Sequence, residues 1–243
     1  MKAAWYERQG PARDVLVVGD LPDPSPGDGE VRIRVAASGI NPGDVKKRQD
    51  AFGFGMAYPR VIPHSDGAGV IDRIGPGVAS ARLGERVWCH GGQSYRPFGT
   101  AAQSIVVPSR LAVPLPAHVS FAQGACLGIP GITAHRAVHI AGPADAKTIL
   151  VQGGGGAVAD CAVALARHAG AHVIVTTRSE AGAASAWRAG ADEVHRLDLE
   201  DEQALVAKIE AAGPRHIVEV DLAGNLGFDE KVLPMGGTIA AYA

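Results

Sequence analysis

The chain has 243 residues, of which 47% are hydrophobic and 20% are charged, and its formal net charge is −2. These values are typical of a globular protein with one large domain or two modest ones. Because the 23 basic residues are scattered along the chain, the sequence favours no nucleic-acid partner.

The beginning of the chain lacks the features of a secretory signal. Lys2 is followed closely by Glu7 and Arg8, which leaves no room for the apolar segment that such a signal requires. The longest stretch without Asp, Glu, Lys or Arg, residues 111–135, contains three prolines and is not typical of a membrane helix. The three cysteines are widely separated, which argues against a disulfide framework. The sequence therefore predicts a cytoplasmic protein that does not enter a membrane.

The first 110 residues have the pattern of a β-rich domain. Residues 31–35 alternate apolar and charged side chains, which is the period of a half-buried strand. Shorter strands are predicted at 68–74, 86–88 and 104–107, with Gly and Pro turn signals between them. Many short strands separated by turns predict a compact barrel or sandwich.

Beyond residue 120 the pattern changes to alternating strands and helices, typical of α/β proteins. Helices are predicted at residues 121–127, 132–140, 158–169, 181–189 and 201–211, and strands at 148–152, 172–176 and 216–221. This alternation predicts a parallel sheet with helices on both faces. We place the domain boundary between residues 125 and 126.

The sharpest local feature is a run of four glycines between a predicted strand and a predicted helix. Such a turn allows a pyrophosphate to approach the helix N-terminus, where free N–H groups and the helix dipole favour an anion. Gly153, Gly156 and Ala159 fit the spacing G-x-x-G-x-x-G/A, whose last position needs only a small side chain. Asp160 is less expected beside a phosphate. The predicted cofactor-binding residues of this turn are Gly153, Gly154, Gly155, Gly156, Ala157 and Val158. An alternative interpretation is a flexible glycine loop without a ligand.

The second strand of this region ends in Thr177, Arg178 and Ser179, without an acidic residue. A site that prefers NAD(H) usually has Asp or Glu here to bind the ribose hydroxyl, whereas an arginine can meet a 2′-phosphate. The two flanking hydroxyls are candidates for further hydrogen bonds. We therefore predict NADPH as the cofactor; the alternative is that Arg178 is a solvated surface residue.

Several motifs together resemble one protein family in their order along the chain. They lie at residues 35–44, 62–70, 84–88, 98–103, 130–134, 153–156 and 220–224. In this order they resemble the zinc-independent quinone oxidoreductase (zeta-crystallin-like) branch of the medium-chain dehydrogenase/reductase superfamily. The resemblance implies a GroES-like β-barrel domain at residues 1–125, followed by a Rossmann doubly wound parallel sheet at 126–243.

Members of this family continue beyond the point that corresponds to Ala243 and add a further Rossmann strand. The resemblance therefore implies that the second domain is truncated at its C-terminal end. A parallel sheet that stops at its fifth strand has an unpaired edge. We expect the natural protein to be longer than 243 residues and to form a homodimer or homotetramer.

The resemblance also bears on metal. Zinc-dependent relatives have three ligands at the positions that here hold Asn41, Ser65 and Ile129. Isoleucine cannot bind zinc, and Asn and Ser are poor ligands for it. We predict no metal site and interpret His64, next to one of these positions, as a turn or cleft residue.

The resemblance implies hydride transfer from NADPH to a quinone or an activated alkene. It places Asn41 and Thr133 near the nicotinamide and its ribose as catalytic residues, and Tyr242 beside the nicotinamide ring as a cofactor-binding residue. Alternative roles are a turn for Asn41, a helix cap for Thr133 and strand core for Tyr242. No side chain stands out in the sequence as a general acid.

The sequence leaves the acceptor and even the activity open to more than one interpretation. Phe52, Phe54 and Tyr58 are candidates for an apolar acceptor pocket or for ordinary core packing. An NADPH-dependent enone or enoyl-thioester reductase would share the fold and the cofactor. A non-catalytic NADPH-binding protein, of the crystallin type, is a further alternative.

Overall fold

The computed structural model describes residues 1–242. Contacts divide it into two compact units, the first spanning Met1–Ile129 and the second beginning at Pro130. The boundary that the sequence suggests, between residues 125 and 126, lies shortly before this division and remains a prediction. No helix within the described residues is long and apolar enough to cross a membrane.

The N-terminal unit is built around an antiparallel sheet. Its strands are β1 (Lys2–Trp5), β2 (Val17–Asp20), β3 (Glu30–Gly39), β4 (Asp66–Ile74), β5 (Arg86–Cys89), β6 (Ser104–Pro108) and β7 (Ala112–Pro114). Its helices are α1 (Ala12–Val15), α2 (Pro42–Arg48) and α3 (Phe121–Gly124), with 3-10 turns at Ser80–Arg82 and Ser109–Leu111. The main sheet has the order β6-β3-β4-β5-β7, and β1 pairs with β2. The β-rich character predicted for this part of the chain is confirmed.

In the central strand β3, the alternating pattern predicts the burial of some residues correctly and of one residue wrongly. Val31 and Ile33 are fully buried, as the pattern predicts, and Arg34 is exposed. Arg32, which the alternation assigns to the solvent side, is buried instead. Its guanidinium donates hydrogen bonds to both carboxylate oxygens of Asp72, at 2.8 and 2.9 Å. This bidentate ion pair makes the burial of the arginine tolerable.

The C-terminal unit is a five-stranded parallel sheet covered by helices. Its strands are β8 (Thr148–Gln152), β9 (His172–Thr177), β10 (Glu193–Arg196), β11 (His216–Glu219) and β12 (Thr238–Ala241). The helices of this part of the chain are α4 (Ile129–His139), α5 (Ala157–His168), α6 (Glu180–Ala189), α7 (Glu202–Ala212) and α8 (Leu222–Val232). The strand order is β10-β9-β8-β11-β12, and every neighbouring pair is parallel. The predicted parallel sheet is confirmed.

Helices on both faces bury the central strands of this sheet, so the middle residues of β8 are apolar on both faces. In β8, Ile149 and Val151 pack with Val163 of α5 in one core cluster. Leu150 packs on the opposite face, in a second cluster that includes Leu205 of α7. This arrangement directs the carboxyl ends of β8, β9 and β11 to one edge of the sheet, where open α/β sheets bind their ligands.

Two elements of this unit were not predicted from the sequence, and one ends earlier than expected. Strand β10 consists of Glu193, Val194, His195 and Arg196, and its polar residues conceal the strand pattern. Helix α8 was also missed. The strand predicted at 216–221 ends at Glu219, because Asp221 is the N-cap of α8 and accepts a hydrogen bond from Gly224 N at 3.3 Å.

Candidate functional site

The glycine turn connects the end of β8 to the start of α5. Gly153 and Gly155 have φ of +77° and +91°, a region that side chains other than glycine rarely adopt. A Cβ on Gly154 would lie 2.5 Å from Val175 Cγ1, and one on Gly155 would lie 2.6 Å from Gly182 Cα. These three glycines are therefore required by the fold, because the turn packs directly against β9 and α6.

Gly156 differs from the three glycines that precede it. Its φ is −81°, and a Cβ there would meet only Gly153 O, at an ordinary 3.4 Å. It is the N-cap residue of α5, and no side chain caps this helix. The first N–H groups of a helix lack partners within it. An exposed glycine at this position leaves space for an anion beside those groups.

Asp160 lies in the first turn of α5, and its carboxylate is engaged in a hydrogen bond with a neighbouring helix. Its Oδ2 accepts a hydrogen bond from Ser185 Oγ of α6 at 2.7 Å. The carboxylate thus joins two helices of the unit. The glycine pattern does not explain why an acidic residue lies near a phosphate site. The contact with Ser185 gives Asp160 a structural role there.

The three polar residues at the end of β9 have different hydrogen-bonding capacities. Thr177 Oγ1 donates to Gly154 O at 3.0 Å, so its only hydroxyl proton is already used. Ser179 Oγ accepts from Gly182 N at 3.0 Å as the N-cap of α6, so its own proton is free to donate. Arg178 is exposed and donates through Nη2 to Asn225 Oδ1 at 3.2 Å. Arg178 and Ser179 can therefore donate to an anion, whereas Thr177 holds the turn in place.

These residues line one shallow pocket at the carboxyl edge of the sheet. Its volume is about 260 Å³, and Gly153, Gly154, Arg178, Ser179 and Asn225 contribute to its wall. A second pocket of about 360 Å³ also includes Arg178 and Asn225 and extends towards α7 and α8. The structure therefore brings the glycine turn and the predicted phosphate-binding arginine together within one unit.

A buried polar cluster lies beneath this pocket, and sequence reasoning missed it. Glu219 and Asp229 are fully buried, and Gln152 is almost so. Gln152 Nε2 donates to Asp229 Oδ1 at 2.7 Å, and Asn225 Nδ2 donates to Glu219 Oε1 at 2.9 Å. Thr176 Oγ1 donates to Gln152 Oε1. Burial, together with the neighbouring Glu219 carboxylate, raises the pKa of Asp229 to about 7 against the hydrogen bond from Gln152.

The stability of the protein should depend on this carboxyl group. Its pKa rises from the usual 3.8 to about 7 on folding, so the native state binds a proton that the unfolded state has lost. The free energy of unfolding should fall as the pH rises between these values, by up to about 4 kcal/mol in total. Denaturant titrations across this range should show a flatter profile for Asp229→Asn than for the wild type. Identical profiles would show that Asp229 keeps its usual pKa in the folded protein.

Thr133 and Tyr242 lie on another pocket of the C-terminal unit. The pocket has a volume of about 480 Å³, and Ile132, Arg136 and Ile140 also line it. Thr133 lies within α4, which begins at Ile129, so it is not the cap of this helix. Tyr242 is partly buried, and burial followed by the effect of Glu219 raises the pKa of its hydroxyl to about 12.

In the N-terminal unit, Asn41 is the N-cap residue of α2 and is buried. Its Nδ2 donates to Asp66 Oδ2 at 2.8 Å, and the same oxygen accepts from Ile129 N at 2.7 Å. The backbone N of Asn41 donates to Asp44 Oδ2 at 2.8 Å. Burial raises the pKa of Asp66, and the hydrogen bonds from Ile129 and Asn41 oppose the shift. The three positions compared with zinc ligands are thus a buried Asn and a buried Ser, with Ile129 supplying only a backbone N–H.

Within residues 1–242, no group of three or more His, Cys, Asp or Glu side chains is arranged to hold a metal ion. His64 has other contacts and an unusual backbone conformation, with φ of +75°. Thr100 Oγ1 donates to Asp66 O at 2.5 Å, so Ser38 Oγ must donate to Thr100 at 2.8 Å. Ser38 therefore accepts from His64 Nδ1 at 2.9 Å, which leaves Nε2 without a proton in the neutral ring. Burial lowers the pKa of His64, and Asp44 opposes this shift.

Aromatic residues line a pocket of about 400 Å³ in the same unit. Phe52, Phe54 and Tyr58 all contribute to it, together with Lys47 and Gln93. Phe52 is 51% and Phe54 is 89% exposed, so these two are not core residues. Lys47 Nζ donates to Gln93 Oε1 at 3.0 Å, which fixes a positive charge at the pocket wall.

Known proteins resemble this chain in the sequence of both units. The model of the alcohol dehydrogenase GroES-like domain matches residues 27–117. The chain is 34% identical over 227 residues to a quinone oxidoreductase of Rattus norvegicus, in a match that covers 90% of this chain and 66% of the relative. It is 30% identical over 244 residues to that of Lama guanicoe, covering 98% of this chain and 72% of the relative.

A solved structure extends the likeness to the fold of both units. The quinone oxidoreductase from Thermus thermophilus, solved also in complex with NADPH, has a TM-score of 0.77 and 28% identity. The match covers 98% of this chain and 72% of that chain. The chain spans about 66% of the length of several curated relatives that it matches. The GroES-like and Rossmann-like folds that the resemblance implies are confirmed, and the chain belongs to the quinone oxidoreductase branch of the medium-chain dehydrogenase/reductase superfamily.

Proposed function

We propose that this protein is an NADPH-dependent reductase that transfers hydride to a quinone without a metal ion. The observation that carries the proposal is the pocket in which Arg178 lies beside the glycine turn, with no carboxylate at the end of β9. The relatives named quinone oxidoreductase support the reaction class, and the NADPH complex of one of them supports the cofactor. NADPH oxidation that depends on an added quinone is the experiment that tests it.

Each part of the dinucleotide has a proposed partner in the C-terminal unit. The pyrophosphate would lie over residues 153–158, where the turn and the uncapped start of α5 leave room for an anion. Arg178 and Ser179 would hold the adenosine 2′-phosphate, with Thr177 keeping the turn in position. Thr133 and Tyr242 would contact the nicotinamide and its ribose. A bound reduced nicotinamide supplies the hydride, and the protein supplies position and electrostatics.

The acceptor would use the aromatic pocket of the N-terminal unit. Flat side chains such as Phe52, Phe54 and Tyr58 offer apolar contact to a planar ring. Lys47 would place a positive charge near an oxygen that becomes negative during reduction. Asn41 remains a proposed catalytic residue, and its hydrogen bonds with Asp66 and Asp44 would hold it and the start of α2 in place.

The proposal requires no Lewis acid, because a quinone accepts hydride readily. We expect the purified protein to contain no stoichiometric zinc, and a chelator to leave its NADPH-quinone activity unchanged. Elemental analysis and assays with and without chelator measure both quantities. About one zinc per chain, or activity lost on chelation and restored by zinc, would show that donors other than Asn41, Ser65 and Ile129 bind a catalytic metal.

Other properties of the protein remain predictions. These are its association into a homodimer or homotetramer and its cytoplasmic location. For association, the structure adds that β12 is an outer strand of the described sheet. A strand at the edge of a sheet can pair with a strand of another protein chain.

A further inference from the structure

A chain of hydrogen bonds connects Arg178 with the interior of the C-terminal unit. Arg178 Nη2 donates to Asn225 Oδ1 at 3.2 Å, and Asn225 Nδ2 donates to Glu219 Oε1 at 2.9 Å. The amide of Asn225 is thus fixed in one orientation, because its oxygen faces a donor and its nitrogen faces an acceptor. The exposed guanidinium is therefore positioned by a buried carboxyl group.

The carboxyl groups of Glu219 and Asp229 leave one unsatisfied oxygen each. Glu219 Oε2 and Asp229 Oδ2 are buried and receive no hydrogen bond, and the two carboxyl groups are close enough for Glu219 to raise the pKa of Asp229. Both residues are fully buried. Two neighbouring ionised carboxylates, each with one oxygen that lacks a donor, would be strongly unfavourable there. One proton shared by the pair satisfies both oxygens, as in other buried carboxyl pairs.

We infer that the Glu219–Asp229 pair, acting through Asn225, positions Arg178 for the 2′-phosphate of NADPH and does so only while it holds one proton. The inference rests on the proposed use of NADPH. Loss of the proton adds a negative charge beneath the pocket, which repels the phosphate and attracts the guanidinium inwards. NADPH should then bind more weakly as the pH rises. By linkage, NADPH binding should also favour uptake of a proton by the pair.

The titration range of the pair fits this role. The pKa of Asp229, raised to about 7 by burial and by Glu219, places the loss of the shared proton near neutral pH. Tyr242 also faces Glu219, and its pKa of about 12 keeps its hydroxyl protonated through that range. The charged groups at the pocket rim, besides Arg178, are Asp221, Glu200 and the ion pair of Lys231 with Glu202.

The test compares dissociation constants of NADPH and NADH between about pH 6 and 9 for the wild type and Asp229→Asn. An Asn side chain can donate permanently to Glu219 and still accept from Gln152, so it mimics the protonated pair. In the wild type, the preference for NADPH should fall with rising pH, by at most about tenfold for each pH unit because one proton is linked. In Asp229→Asn this fall should be absent. Titration of the 2′-phosphate itself occurs in both proteins and cancels in the comparison.

Two further variants separate the pair from its surroundings. Asn225→Ala should weaken NADPH binding several-fold and NADH binding much less, because it removes the connection between Glu219 and Arg178. Glu202→Gln, which removes a rim charge outside the chain of hydrogen bonds, should retain the pH dependence of the wild type. Equal pH profiles for wild type and Asp229→Asn, with NADPH still preferred, would overturn this inference alone. Failure of the wild type to bind either dinucleotide would overturn the proposed function.

Discussion

Gly156→Val should raise the dissociation constant of NADPH at least about a hundredfold, or ~2.7 kcal/mol, and leave the fold intact. The backbone at this position has φ of −81°, which valine adopts readily, and the space around its Cβ holds only Gly153 O at 3.4 Å. The branched side chain would instead occupy the space beside the start of α5, where the proposed pyrophosphate lies. Isothermal titration with NADPH measures the effect, and thermal unfolding checks the fold.

A graded series makes this result specific. Gly156→Ala should weaken binding less than Gly156→Val, because its side chain is smaller. Gly155→Val should lower the unfolding temperature as well, because Gly155 has φ of +91° and its Cβ would lie 2.6 Å from Gly182 Cα. If Gly156→Val is folded and binds NADPH with unchanged affinity, the pyrophosphate does not lie at this turn.

Arg178→Ala should remove most of a preference for NADPH over NADH of about tenfold to a hundredfold. A guanidinium can form two charge-assisted hydrogen bonds with a 2′-phosphate, each worth about 1.5–3 kcal/mol and less where solvent reaches the pair. NADH lacks this phosphate, so its binding should change little. Because Arg178 is exposed, higher salt concentration should also reduce the preference. The ratio of the two dissociation constants in wild type and variant is the quantity to measure.

A second exposed arginine provides the control. Arg188, near the C-terminal end of α6, carries the same charge but lies outside the pockets that contain Arg178. Arg188→Ala should leave the ratio of dissociation constants unchanged. If the wild type binds NADH as tightly as NADPH, or if Arg178→Ala leaves the ratio unchanged, Arg178 is a solvated surface residue and the cofactor assignment is wrong.

The fold could be predicted wherever burial imposed a simple pattern on the sequence. Strand β8 was assigned its observed bounds because its middle residues, Ile149–Val151, form the continuous apolar run expected of a strand buried on both faces. Strand β10 was missed because its polar side chains form hydrogen bonds with residues elsewhere in the chain, such as Glu193 Oε1 with His172 Nε2 at 3.0 Å. Pairs of this kind depend on residues that are distant in sequence, and no local pattern reveals them.

One part of the candidate site could also be predicted from the sequence, and another part could not. The glycine turn has a local signature, because the backbone conformation itself demands glycine at Gly153 and Gly155. The carboxyl pair has none, since Asp229 lies on one element and its hydrogen-bond donor Gln152 on another, 77 positions away. Asn225 and Asp229 are one helical turn apart on α8, but this spacing carried no signal because the helix itself was not predicted.

The most direct measurement of the central claim is NADPH oxidation by the purified protein, with a simple quinone as acceptor and a chelator present. We expect the reduced nicotinamide absorbance to disappear only when quinone is added, at a higher kcat/KM than with a cyclic enone, and with NADPH used in preference to NADH. NADPH that binds but is oxidised by no quinone, or that is oxidised faster by the enone, would contradict the proposal that this protein is a quinone reductase.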